Sequence, residues 1–108
     1  MAENKAIIEH NGDCKYIFAK VQEGQDTHLA VVSMRLGYHR DIADTLEGRL
    51  DRQGQRLAQV LGGGRLAIDR EAKTIETYDY SGSYGHAPLN LVEAVLRENF
   101  PDYKLDIR

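Results

Sequence analysis

The sequence predicts an α+β domain: a largely antiparallel sheet interrupted by two helices, two or three layers deep. Three observations predict it. Apolar and polar residues alternate with period two through Cys14–Gln22, Gln55–Leu61 and Thr74–Ser81. The period becomes helical in Gly37–Gly54 and again in Pro88–Phe100. Short polar clusters, such as Glu23–Asp26 and Arg70–Lys73, separate the strands as turns do.

The elements follow in order. Ala6–His10 is expected as a short edge strand, within a segment 1–12 that is otherwise extended or disordered. In Cys14–Gln22, Tyr16, Phe18 and Lys20 face one way and Ile17, Ala19 and Val21 the other. Thr27–Leu36 is β-branched and apolar and reads as the hairpin partner. The first helix draws its buried stripe from Tyr38, Ile42, Ala43, Leu46 and Leu50. Asp41 and Asp44 near its start and Arg49 and Arg52 near its end suit the helix dipole, and Gly54 terminates it. Gly48 inside the run weakens the helix modestly. Gln55–Leu61 is a strand, Gly62–Gly64 a glycine turn, and Arg65–Asp69 a further strand. Thr74–Ser81 follows, then a loop over Gly82–Ala87. The second helix carries Pro88 in its first turn and buries Leu89, Val92, Val95 and Leu96. Pro101 ends it, and Tyr103–Ile107 closes the chain as a strand.

The chain has 108 residues and is expected to form a single domain over 1–108. Its net charge is −3 with basic residues scattered, which argues against a general nucleic-acid binder. No apolar run approaches membrane-spanning length, so no membrane partner is expected. The one cysteine, Cys14, has no intramolecular partner, and the start of the chain holds no long apolar stretch. A reducing, cytoplasmic location is therefore expected.

Three stretches carry candidate chemistry. His39 stands at the start of the first helix, where free N–H groups and partial positive charge suit an imidazole acting as base or nucleophile. An exposed polar residue near a cap is the plainer reading. The stretch "LGGGR" can form an anion-binding nest or let a carbonyl approach a side chain, with Arg65 offering a forked donor to an anion; a glycine-rich hairpin turn is its plainer reading. The stretch "YSGSYGHA" offers backbone N–H groups and the hydroxyls of Ser81 and Ser83 to a tetrahedral oxyanion, or is merely a flexible turn.

Other chemistries fail. "HRD" imitates a protein-kinase catalytic loop, but no kinase nucleotide loop accompanies it. Lys20 stands where a Cys-x5-Arg phosphatase loop starting at Cys14 needs arginine. His10, His28, His39 and His86 lack paired zinc spacing, so no metal and no cofactor are expected.

The stretches "KYIFAKV", "YHRDI", "LGGGR", "YDYSGSYG" and "FPDYKL", in this order and spacing, resemble the phosphohistidine phosphatase family, also called Janus/Ocnus. The resemblance runs from about Asp13 to the end of the chain. It implies a mixed sheet flanked by two helices. It also implies metal-free removal of phosphate from phosphohistidine, and from phospholysine, in a partner protein. The family's catalytic histidine falls on His39, its phosphate-binding lysine on Lys15, its arginine on Arg65, and its phosphate-binding loop on Ser81, Gly82 and Ser83. Ser83 stands where alanine is usual, Gly82 where a larger residue is, and His86 where animal members tend to have proline. A monomer is expected. One ring nitrogen of His39 is expected to donate to a carbonyl of the glycine turn, that of Gly62, which frees the other to face phosphorus. Two competing readings remain. One is a non-catalytic module that binds phosphate or an acidic ligand in the same pocket. The other is an interaction domain with no anion affinity.

Overall fold

The computed structural model describes residues 3–108. Its elements are β1 (Lys5–Ile8), β2 (Gly12–Glu23), β3 (Asp26–Ser33), α1 (His39–Arg52), β4 (Arg56–Asp69), β5 (Thr74–Tyr78), α2 (Leu89–Asn99) and β6 (Lys104–Ile107). Among the described residues, six strands form one sheet in the order β1-β3-β2-β4-β5-β6. The inner pairs β3-β2, β2-β4 and β4-β5 are antiparallel, and the outer pairs β1-β3 and β5-β6 are parallel. The sheet is thus mixed and largely antiparallel, and the domain is α+β as the sequence predicts.

Strand alternation sends β2 side chains to two separate cores. Tyr16 and Phe18 join Leu66, Ile68 and Ile75 beneath α2, where Val92, Val95 and Leu96 complete the cluster. Ile17, Ala19 and Val21 join Ala30 and Val32 beneath α1, against Ile42, Ala43, Leu46 and Leu50. One helix therefore covers each face. Gly54 ends α1 as expected: at φ +72° it turns the chain out of the helix, and the N–H of Gln55 returns to the carbonyl of Leu50 at 2.8 Å.

Several expectations are corrected. The three glycines are no turn: Gly62, Gly63 and Gly64 lie inside β4, opposite Phe18, Ile17 and Tyr16 of β2. Alternation breaks there because glycine shows no polarity, so one long strand looks like two short ones. Register shifts between Phe18 and Ala19, and between Lys20 and Val21, bend this pair. The second hairpin strand stops at Ser33, which leaves Met34–Tyr38 as a loop leading into α1. The edge strand expected over Ala6–His10 is present as β1 but shifted to Lys5–Ile8, where it pairs with β3 at the margin of the sheet. Tyr38 is 73% exposed and Leu89 39%, so neither belongs to the buried stripe assigned to it. Tyr38 precedes α1 in extended backbone, and Leu89 is the first residue of α2. Pro88 caps α2 and does not lie within its first turn.

Candidate active site

The head of α1 is built to hold a histidine. Tyr38 enters it in extended conformation and makes no side-chain cap. Its carbonyl accepts from the N–H groups of Asp41 and Ile42, at 3.1 and 3.4 Å. His39 is the first helical residue, and its ring is buried, with Nε2 at 2.9 Å from the carbonyl oxygen of Gly64. A carbonyl only accepts, so Nε2 carries the hydrogen and Nδ1 of the neutral ring is left with a bare lone pair. Among the described residues nothing hydrogen-bonds to Nδ1, and it is not among the buried unpartnered atoms. It meets solvent. The expectation for Gly62 is thereby corrected: the orienting carbonyl belongs to Gly64.

The glycines make this approach possible. A Cβ on Gly63 would stand 2.5 Å from the Tyr16 carbonyl oxygen, 3.1 Å from Cδ2 of His39 and 3.4 Å from Cβ of Ser81. The missing side chain lets the imidazole and the serine loop meet over one residue of β4. Gly62 has its own reason: at φ +149° a Cβ there would lie 2.4 Å from the His86 carbonyl oxygen.

Two cations lie on the sheet face that α1 covers. Lys15, Arg65 and Tyr78 are neighbours in register across β2, β4 and β5, which puts their side chains on the α1 face of the sheet. The Lys15 ammonium donates to the Gly37 carbonyl at 2.8 Å, two residues before His39. Arg65 donates from Nε to Oδ1 of Asp13 at 3.0 Å, and the Tyr78 hydroxyl donates to Oδ2 of the same carboxylate. Contact with the Tyr78 hydroxyl, then with Asp13, holds the Arg65 guanidinium above its ordinary range. The hydrogen bond to Asp13 likewise raises the Tyr78 phenol. Asp13, Lys15, Arg35, Leu36, Gly37 and Arg65 line one open depression of about 340 Å³. Asp13, Arg35 and Tyr78 escape the sequence reading. Asp13 is detectable in principle, because it lies two positions before Lys15 and so shares its strand face; Arg35 is hidden by the strand assigned over it.

The serine loop is closed on itself. The N–H of Ser81 donates to the Gly85 carbonyl at 3.2 Å, and the N–H of Gly85 to the Ser81 carbonyl at 2.8 Å. The Ser81 hydroxyl accepts from the N–H of Tyr84 at 3.1 Å, and its side chain is buried. Ser81 therefore shapes the loop, and its N–H is not free for an anion. Gly82 and Ser83 are exposed, and their N–H groups have no acceptor among the described residues. The N–H of Gly63 donates to the Gly85 carbonyl at 3.1 Å and ties the loop to β4. His86 stacks against Tyr80 with ring centroids 5.0 Å apart.

The model of the Janus/Ocnus family matches residues 3–104. The chain belongs to the Janus/Ocnus family. It is 35% identical over 106 residues to the 14 kDa phosphohistidine phosphatase of Homo sapiens, an alignment covering 91% of this chain and 84% of that protein. It is 27% identical over 106 residues to the Sus scrofa protein of the same name, covering 91% and 83%. It is also 31% identical over 102 residues to the sex-regulated protein janus-A of Drosophila melanogaster, covering 93% and 75%.

The five Janus/Ocnus stretches fall on the site's supports. "KYIFAKV" lies in β2, "YHRDI" at the head of α1, "LGGGR" in β4, "YDYSGSYG" at the end of β5 and in the loop, and "FPDYKL" leads into β6. Among the described residues no group of three or more His, Cys, Asp or Glu side chains could hold a metal ion, and no helix is long and apolar enough to cross a membrane.

Proposed function

We propose that this Janus/Ocnus chain is a metal-independent phosphatase acting on phosphohistidine, and on phospholysine, in proteins. The relatives named phosphohistidine phosphatase support this reading. The observation that carries it is the hydrogen bond from His39 to Gly64, which turns the bare Nδ1 outward at the head of α1. Lys15 and Arg65 bring positive charge to that side of the sheet, and the N–H groups of Gly82 and Ser83 bring fixed dipoles.

The reaction needs a held phosphoryl group and an in-line nucleophile. In one form of the mechanism the Nδ1 lone pair bonds to phosphorus as the substrate P–N bond breaks. The bonding pair goes to the substrate nitrogen, which leaves as neutral imidazole or amine because its fragment is already protonated. Water then cleaves the P–N bond on His39. In the other form water attacks directly and gives its proton to Nδ1. Rapid quenching with labelled substrate separates the two: label retained on the protein identifies nucleophilic attack.

The test of function is phosphate release from chemically phosphorylated polyhistidine. Release by the wild-type chain and its loss in His39→Ala support the phosphatase. A chain that binds inorganic phosphate and releases none is a binding module, and one with no anion affinity is an interaction domain. The same reading has the protein act as a monomer in the cytoplasm, which sizing in solution and fractionation of cells test.

A further inference from the structure

The cationic depression lined by Gly37, two residues before His39, contains a carboxylate. Asp13 shares it with Lys15, Arg35 and Arg65, and its side chain is 39% exposed. A negative charge here opposes a phosphoryl group and weakens the field that Arg65 puts on it. A receptor for phosphate alone is better without it. Yet Asp13 is held firmly: Oδ1 accepts from Arg65 and Oδ2 from Tyr78, and the pairing of Lys15, Arg65 and Tyr78 across three strands fixes the donors. Each carboxylate oxygen still has a lone pair to offer.

We propose that Asp13 makes the site selective for phosphoryl groups carried on nitrogen, by accepting a hydrogen bond from the cationic, nitrogen-bearing fragment of the substrate. This deepens the phosphatase reading above and rests on it. A phosphoramidate breaks easily only when its nitrogen fragment is protonated. In phosphohistidine that proton sits on the ring nitrogen remote from phosphorus; in phospholysine it sits on the bridging nitrogen. The fragment is a cation before P–N cleavage and takes the bonding pair to leave neutral. Asp13 stabilises the protonated, reactive form. A phosphate ester has no such charge. Its leaving oxygen becomes negative, and Asp13 repels it. The cations hold the phosphoryl oxygens in both cases, so discrimination falls to the carboxylate.

The test compares the wild type with Asp13→Asn and Tyr78→Phe. The substrates are a phosphohistidine peptide, potassium phosphoramidate and p-nitrophenyl phosphate, and inorganic phosphate is the inhibitor. Asp13→Asn keeps the size and removes the charge. Its selectivity for nitrogen over oxygen, as the ratio of kcat/KM values, should fall at least about tenfold, the loss of one charged hydrogen bond. Inhibition by phosphate should tighten by roughly two- to fivefold, because a like charge is gone. Tyr78→Phe retains the carboxylate and should keep the selectivity. A purely structural Asp13 predicts another pattern: all substrates weaken together and phosphate binds less well. That result, or an unchanged ratio, overturns the proposal while leaving the phosphatase reading intact. A wild-type chain inert toward both phosphoramidates overturns both.

Discussion

The imidazole of His39 donates from Nε2 to the carbonyl oxygen of Gly64, 25 residues away in sequence and 2.9 Å away in space. This single bond sets which nitrogen of a buried ring faces outward. His39→Ala should therefore remove phosphoramidate turnover by a factor of about 10² or more. The melting temperature should change little, because the ring lies at the end of a helix whose core contacts are made by Ile42, Ala43, Leu46 and Leu50. Steady-state kinetics and thermal melts on the same preparation check it; turnover within a few-fold of wild type refutes the role.

Gly63 is the sharper structural test. An added Cβ meets the Tyr16 carbonyl, which is backbone and cannot swing aside, and presses on the His39 ring. Gly63→Ala should destabilise the fold by about 1–3 kcal/mol. It should also disturb the His39–Gly64 bond, so the histidine resonances in NMR spectra should move. A variant as stable as wild type, with an undisturbed imidazole, contradicts the close approach.

The role proposed for Arg65 is to hold phosphate. Arg65→Ala removes a guanidinium fork and leaves Asp13 without its cation. Phosphate inhibition should weaken by about 1.5–3 kcal/mol, the value of a charged hydrogen bond. Lys15→Ala should act in the same direction. Isothermal titration with inorganic phosphate reads both, and an unchanged affinity in Arg65→Ala removes that residue from the site.

Chelation should have no effect. The positive charge at the site comes from Lys15, Arg35 and Arg65, which line one depression. Rates measured with and without EDTA should agree; activity lost in EDTA and restored by a divalent ion points to a metal-dependent reaction.

Acid should weaken the fold before its carboxylates titrate. Burial holds the imidazoles of His10 and His28 below their ordinary range, and Nδ1 of each is buried without a partner. The unfolded chain takes up these protons near pH 6.5, the folded chain only at lower pH. The unfolded state binds more protons across that window, so stability is full above it and is lost as pH falls through the folded values. Thermal melts from about pH 8 to about pH 5 should show a falling midpoint, less steeply in His28→Gln. A flat profile contradicts the burial argument.

Much of this architecture is determined by local sequence. Period-two and helical alternation mark β2, β5 and both helices, because which side chains share a face depends only on residues a few positions apart. Gly54 ends α1 for a reason equally local, since a left-handed turn favours glycine. The candidate histidine, lysine and arginine were legible as residue types in recognisable stretches. Tertiary structure decided what the glycines do. Gly62–Gly64 look like a turn until β2 pairs with them, and only the packed partners Tyr16, His39, Ser81 and His86 show why no side chain fits. It also decided that Gly64, and not Gly62, holds the imidazole. The two are about 7 Å apart along one strand, and no local pattern measures where a distant helix begins against it. The Asp13–Arg65–Tyr78 contact has the same origin: strand register, a long-range property, makes neighbours of residues that the sequence keeps far apart.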